Sequence, residues 1–281
     1  MLLIALSVVA GLLTSRFKNL DKLSLVVNGK NGNVLVQNFD FANQEIVNIT
    51  IPGETQLDVA NQFGNYRAES VWKLGINEKK EGELLRLSIV KNFNLPVVSW
   101  ADSRGEGFGS GGFLSLIKSV IIPYKSNLRF GDKLRLAFFS VGVREGKRTD
   151  INLEETGFLK ETRLLDGENG FLIGTGKLPV SLAGIFSEVV GRPEPYRVMI
   201  KDNTGKMKVA EKTGEVLEVM GIKVASLVKG PTVDEDCVVS GKDKHLVQKV
   251  SLIFTCQTKA EYGDETFDLV LDLGSEFAKR Y

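Results

Sequence analysis

The stretch Tyr196-Arg-Val-Met-Ile-Lys-Asp-Asn-Thr-Gly-Lys-Met-Lys-Val-Ala-Glu-Lys-Thr-Gly-Glu-Val-Leu-Glu-Val-Met-Gly221, followed by Ile222-Lys-Val-Ala-Ser-Leu-Val228, decides the fold class. Tyr196, Val198 and Ile200 alternate with Arg197, Met199 and Lys201, the period of a half-buried strand. Asp202 to Gly205 is a turn cluster. Val209, Ala210, Val216, Leu217 and Met220 then recur at near-helical spacing, Gly221 suits the residue after a helix end, and Ile222 to Val228 alternates again. Strand, helix and strand with a short crossover predict an α/β domain.

Working outward, the N-terminal half is strand-rich. Leu23–Val27, Val34–Phe39 and Ile46–Ile51 are apolar runs, and the Asn-Gly pairs of Asn28-Gly-Lys-Asn-Gly32 predict a hairpin between the first two. Glu78–Phe93 reads as a helix stopped by Asn94-Leu-Pro96, and Val97–Trp100 as the next strand. Residues 143–169 are charged and irregular, most simply a solvated face. Phe171–Gly174 is strand-like, Leu178–Val190 is apolar, and Gly191-Arg-Pro-Glu-Pro195 reads as a linker. Lys244–Thr255 fits a helix or, through Val250, Leu252 and Phe254, a strand; the pattern leaves both open. The expected organisation is an apolar anchor over 1–19, an α/β domain with a mixed sheet and helices over 20–190, a linker over 191–195, and a smaller βαβ-containing domain over 196–281.

A chain of 281 residues suits two domains of ~100–200 residues each. Its 36 basic and 35 acidic residues nearly cancel, which gives no overall footprint for nucleic acid, whose phosphates demand clustered Lys and Arg. With one histidine, His245, and no CxxC, a zinc site is disfavoured and a surface histidine is the default. Cys237 and Cys256 either pair, if this part of the chain lies outside the cytoplasm, or stand as two buried thiols. Gly107, Gly109 and Gly112 satisfy G-x-G-x-x-G ahead of a helix-like Phe113–Ile121. A lone match of this kind is weak evidence for a phosphate cradle and more often marks a loop.

Met1–Leu13 is continuously apolar, but at ~1.5 Å per residue it reaches only ~20 Å of the ~30 Å hydrocarbon core. It also lacks the positive n-region of a signal peptide. It is read as part of a membrane anchor whose true start lies upstream. Arg16 and Lys18, just after it, favour the cytoplasmic side and oppose an exported body. That conflict stays open.

The residues also carry a resemblance. The strand ending Ile-Lys-Asp-Asn-Thr-Gly205, the helix with Ala210 and Leu217, and Met-Gly-Ile-Lys-Val224 resemble the LytR C-terminal domain, as does the closing Thr266-Phe-Asp-Leu-Val-Leu-Asp-Leu-Gly-Ser-Glu-Phe277. Upstream, Thr50-Ile-Pro-Gly-Glu-Thr55 stands where the LytR-CpsA-Psr catalytic domain has a Ser-Ile-Pro-Arg-Asp-Thr corner. Phe93-Asn-Leu-Pro96 stands at its Gly-Ile-Pro break, and Gly131-Asp132-Lys-Leu-Arg135 is similar to its Gly-Asp-x-x-Arg. The resemblance implies an envelope protein, anchored in the cell membrane by a single pass with an extracytoplasmic body, whose partners are polyprenyl-linked glycan or peptidoglycan. The family's enzymes move glycopolymers from a polyprenyl pyrophosphate carrier to the cell wall. Such chemistry needs arginines on the pyrophosphate and a carboxylate on Mg²⁺.

Mapped onto that chemistry, Arg67 and Arg135 are the catalytic candidates, Lys30 and Arg129 the ligand-binding ones, and Glu54 and Asp132 the metal ligands, with Mg²⁺ as cofactor only under the enzyme reading. The departures are substantial. Gly53 and Glu54 replace the corner Arg-Asp, Asn33-Val34 replace the strand-opening Asp-Thr, and Phe138-Phe139 stand where Arg-Gln follows. The expectation is a catalytically degenerate domain that binds envelope material or an assembly partner; the alternative is an active Mg²⁺-dependent phosphotransferase. Taken singly, each arginine also fits a surface charge or a structural ion pair. Convergence of Glu54, Arg67, Asp132 and Arg135 in one cleft separates the alternatives.

Overall fold

The computed structural model describes residues 15–164, 166–174, 178–188, 194–259 and 266–281. The apolar run Met1–Leu13 and the linker residues 191–193 lie outside the described residues. The chain is α/β, with mixed sheets and helices, and divides into two compact units. One comprises the described parts of Met1–Leu57, Tyr66–Arg86 and Ser99–Thr175; the other comprises those of Asp58–Asn65, Leu87–Val98 and Gly176–Tyr281.

The first unit is built on a five-stranded sheet. Strands β1 (Lys22–Asn28), β2 (Val34–Asp40) and β3 (Glu45–Ile51) form an antiparallel meander in which Leu25 pairs with Gln37 and Gln37 with Asn48. Next along the chain, β4 (Gln56–Val59) and β5 (Gly64–Arg67) make a short ribbon, and two helices follow, α1 (Ala68–Asn77) and α2 (Gly82–Phe93), of which residues 58–65 and 87–93 count to the second unit. β6 (Ser99–Ala101) then adds parallel to β1. α3 (Gly107–Ser110), α4 (Phe113–Ile121) and α5 (Phe130–Gly142) come next, and β7 (Arg148–Asn152) adds parallel to β3, giving the order β6-β1-β2-β3-β7. β8 (Leu159–Arg163) and β9 (Asn169–Ile173) form a separate hairpin. Six of the seven β1 residues are buried, the polar Lys22 and Ser24 among them, so the strand is covered on both faces.

Two elements depart from the sequence expectation. The helix expected over Glu78–Phe93 starts only at Gly82; residues 78–81 form the break after α1, where Lys79 and Glu81 take left-handed backbone conformations (φ +56° and +51°). Tertiary packing fixes the restart. A side chain at Gly82 would meet the rings of Trp100 and Trp72 at 2.4 and 2.5 Å, and these indoles pack edge-to-face at 5.8 Å. Within the stretch expected to be irregular, β7 is a sheet-edge strand of sequence Arg-Thr-Asp-Ile-Asn, half-buried or exposed throughout. An edge strand with no buried apolar face carries no alternation to read.

In the second unit, α6 (Val180–Phe186) precedes β10 (Arg197–Asp202), α7 (Val209–Val219) and β11 (Lys223–Lys229). β10 and β11 are parallel, as the quoted stretch predicts. The turn between β10 and α7 is set by Asp202, whose Oδ1 accepts from Thr204 N (3.1 Å) and Thr204 Oγ1 (2.6 Å), and by Gly205 at φ +69°. β12 (Cys237–Gly241), α8 (Lys244–Phe254), β13 (Gln257–Thr258), β14 (Leu269–Leu273) and α9 (Ser275–Arg280) complete a sheet of order β11-β10-β14-β12-β13. The open choice at 244–255 resolves as helix. Asp243 Oδ1 accepts from His245 N (2.9 Å) and Leu246 N (3.2 Å), and Leu246, Val247, Val250, Ile253 and Phe254 bury one face. His245 is exposed on the first turn.

Candidate functional site

The candidate residues fall at the two ends of the first unit's sheet. At one end, β3 runs out into Pro52-Gly-Glu-Thr55, closed by Thr55 N donating to Pro52 O at 3.1 Å. Gly53 N donates to Asn33 Oδ1 (3.1 Å) in the β1–β2 turn. That turn has closed over the corner: a Cβ on Gly53 would stand 2.7 Å from Gly32 O and 3.1 Å from Glu69 Cβ. The position of the missing arginine thus has no room for a side chain. Glu54 is exposed, and its carbonyl accepts from Phe171 N in β9 at 3.3 Å.

Arg67, at the end of β5, faces the same hairpin. Its Nε donates to Asp166 Oδ2 (2.8 Å), its Nη2 lies 3.4 Å from Glu168 Oε2, and only 16% of the side chain is exposed. The hydrogen bond from Arg67 holds the Asp166 carboxyl below the usual carboxylate range. The chain's own carboxylates therefore occupy this guanidinium as a phosphate would. Lys30, in the β1–β2 turn, is 70% exposed; its backbone N donates to Glu106 Oε1 (2.8 Å), and its Nζ lies 3.6 Å from Oε2.

At the other end stands Asp132, buried in the first turn of α5. Its Oδ1 accepts from Ser15 Oγ (2.7 Å) and Arg16 N (2.8 Å), and its Oδ2 accepts from Arg129 N (2.8 Å). Asp132 thus caps its own helix and ties the segment before β1 to it. Arg135, one turn on, donates to Phe17 O and Leu20 O, and its guanidinium lies 4.0 Å above the Phe41 ring. Burial pulls its pKa below the ordinary arginine value, against the opposing pull of Asp132 and Asp21. Arg16–Asn19 form a turn, with Phe17 fully buried. The Arg129 side chain is exposed beside this knot.

The two groups do not meet. Phe41 follows the last residue of β2, whereas Gly53 and Glu54 follow Ile51, which pairs with Val34 at the first. Seven residues of strand at ~3.3 Å each put ~20 Å between the ends. Among the described residues no hydrogen bond or ion pair joins Glu54 or Arg67 to Asp132 or Arg135. A shared Mg²⁺ does not fit this arrangement, because Glu54 and Asp132 are at opposite ends and donors already engage both Asp132 oxygens. Among the described residues no group of three or more His, Cys, Asp or Glu is placed to hold a metal ion.

The glycine-rich stretch has a packing role. Side chains at Gly107 and Gly109 would stand 2.2 Å from Ser119 Oγ and 2.1 Å from Asn48 Oδ1, so α3 lies against α4 and the sheet with no space for a phosphate between. Gly109 O accepts from Arg148 Nη1 at 3.0 Å. In the second unit a disulfide joins Cys237 in β12 to Cys256 after α8.

The partners Ser15, Asp166 and Glu168 carry no motif, and only the tertiary structure reveals them. Asp166-Gly-Glu168 does read as a turn, but nothing in the sequence aims it at Arg67.

No protein-family model matches the chain, and no curated protein does. Solved structures similar to it include Bacillus subtilis TagT, with a TM-score of 0.41, 12% identity, and coverage of 56% of this chain and 86% of that one. B. subtilis TagV follows at 0.39 and 9%, covering 55% and 91%. A LytR-CPS2A-psr family protein, YwtF (TagT) with bound octaprenyl pyrophosphate lipid, has a TM-score of 0.40 at 12% identity, covering 56% and 85%.

Proposed function

We propose that this chain is a cell-envelope protein of LytR-CpsA-Psr type that binds polyprenyl-linked glycan and does not transfer it. The observation that carries the reading is the engagement of Asp132, Arg135 and Arg67 by the chain's own groups at opposite ends of one sheet. Asp132 and Arg135 hold Ser15–Leu20, Arg67 is neutralised by Asp166 and Glu168, and the corner at Gly53 is closed. Phosphoryl transfer requires these groups on the same pyrophosphate, since its catalysis is positioning and charge stabilisation. The ligand class comes from the sequence resemblance. An extracytoplasmic body is supported by the Cys237–Cys256 disulfide, a bond that persists in oxidising compartments. Anchoring through the apolar N-terminal segment belongs to the same proposal.

The test is a pair of measurements on the full chain in detergent, with and without Mg²⁺. One follows binding of a polyprenyl-pyrophosphate-linked glycan, and the other follows transfer of that glycan to peptidoglycan. Metal-independent binding without transfer is expected. Mg²⁺-dependent transfer that is lost in Arg67→Ala would overturn the proposal and establish the phosphotransferase alternative.

A further inference from the structure

Helices α4 and α5 lie side by side and turn apolar side chains outward. Eight large hydrophobic residues between Phe113 and Val141 are exposed; Leu114, Ile121 and Phe113 are so by 72%, 71% and 68%. At 100° per residue, Phe113, Ile117, Ile121 and Leu114 form one arc of α4, with Lys118 at its edge and Leu116 and Ser119 buried opposite. On α5 the outward arc is Phe130, Val141 and Phe138, while Leu136 and Ser140 are buried against the fold. At ~150–200 Å² per whole side chain the exposed patch is on the order of 700 Å², more than a monomer leaves open without use.

The groove between the two helices holds about 190 Å³ and is lined by carbon-rich side chains such as Leu116, Leu134 and Ala137. The apolar side chains project outward, so what covers them is a surface.

Charge says which surface. From Glu106 to Glu145 the intervening sequence has six basic residues, Lys118, Lys125, Arg129, Lys133, Arg135 and Arg144, against one acid, Asp132, which is buried and engaged. The chain as a whole is at +1. Lys118, Arg129 and Arg144 are exposed and have no carboxylate partner among the described residues. An apolar stripe bordered by basic residues matches an anionic bilayer, with acyl chains for the stripe and headgroups for the border. The Asp132 knot also fixes Ser15, two residues after the apolar run Met1–Leu13, at the start of α5 and hence beside this face.

We propose that the outward face of α4 and α5 lies on the surface of a bilayer containing anionic lipids. This proposal rests on the exposed face and its charge, and stands whether or not the chain binds or transfers a glycan.

The test places an environment-sensitive fluorophore on the full chain at Leu114→Cys, at Ile121→Cys and, as a control on β9, at Leu172→Cys. All three positions are exposed, and the native cysteines are joined to each other. The probes are read on vesicles of 7:3 phosphatidylcholine to phosphatidylglycerol carrying shallow nitroxide quenchers, and on pure phosphatidylcholine. Blue shift and quenching at positions 114 and 121 but not 172 are expected on the anionic vesicles, weakening as salt rises from ~0.05 to ~0.5 M. Adding Lys118→Glu and Arg129→Glu should cut the quenched fraction at least tenfold on those vesicles at low salt. Probes at 114 and 121 that stay in water while the protein sits on the vesicles overturn the proposal. So does a blue shift without vesicles that accompanies dimerisation, which makes the face a contact between copies. A shift produced equally by one polyprenyl phosphate in detergent overturns it too, making the face a single-lipid site.

Discussion

Replacing Asp132 with alanine tests whether this carboxylate is a fold element or a metal ligand. The side chain is buried and accepts three hydrogen bonds, from Ser15 Oγ, Arg16 N and Arg129 N. Each bond to a charged acceptor contributes ~1.5–3 kcal/mol, and removing the acceptor strands buried donors at ~1–3 kcal/mol apiece. The terms overlap, and Arg135 also loses a nearby counter-charge. The comparison with breaking a buried ion pair sets the total at ~3–5 kcal/mol. At ~2–4 °C per kcal/mol for a domain of this size, Tm falls by ~10–15 °C. Asp132→Asn separates geometry from charge. Its oxygen can still accept from Ser15 and Arg16, but its amide opposes Arg129 N–H, so an intermediate loss of ~1–3 kcal/mol is expected. Calorimetry and urea denaturation of the three proteins give these differences directly. A metal ligand in an otherwise free site behaves oppositely, since removing it leaves Tm unchanged or raises it. A Tm for Asp132→Ala within ~2 °C of wild type would therefore refute the structural assignment.

Gly53→Arg, which restores the corner residue of the resembled enzymes, should destabilise by ~1–3 kcal/mol and confer no Mg²⁺-dependent transfer. Its Cβ meets the Gly32 carbonyl at 2.7 Å, and denaturation alongside a transfer assay checks both parts. Replacing Cys237 and Cys256 together by serine should cost ~3 kcal/mol, the chain-entropy value for a closed loop of this order at a sequence separation of 19. Urea midpoints that match those of the oxidised protein would contradict this. Asp40 makes an acid-sensitive contribution. Burial raises its pKa, but hydrogen bonds from Asn43 and the ion pair with Lys22 at 3.2 Å outweigh that and hold it below the usual carboxylate value. A depressed carboxyl stabilises fully above its unfolded pKa of ~3.9, and the contribution is lost as pH falls through the folded value. The stability gap between wild type and Asp40→Asn should therefore be widest near neutral pH and close below pH ~4; a constant gap would remove Asp40 from the acid response.

The sequence by itself determined the elements whose hydrophobic period matches their burial. The meander of β1 to β3 and the β10-α7-β11 unit were legible because their apolar residues come as short runs bounded by turn residues or at a local spacing of two or 3.6. Asn94, as the stop of α2, was legible because breakers act locally. The tertiary structure alone decided what depends on distant partners. The interruption before α2 is set by Trp72 and Trp100 closing on Gly82, and β7 is a strand because β3 offers it an edge. The glycines of 107–112 look like a phosphate loop in one dimension and are packing contacts in three. The candidate site follows the same division. Motif reading found Arg67, Asp132 and Arg135, since residue type and spacing are written in the chain. It could not show that Asp166 and Glu168 hold the first of them, or that Ser15 and Phe17 hold the other two from more than a hundred residues away. A charged side chain's role depends on what lies within ~4 Å of it, and only the folded chain fixes that.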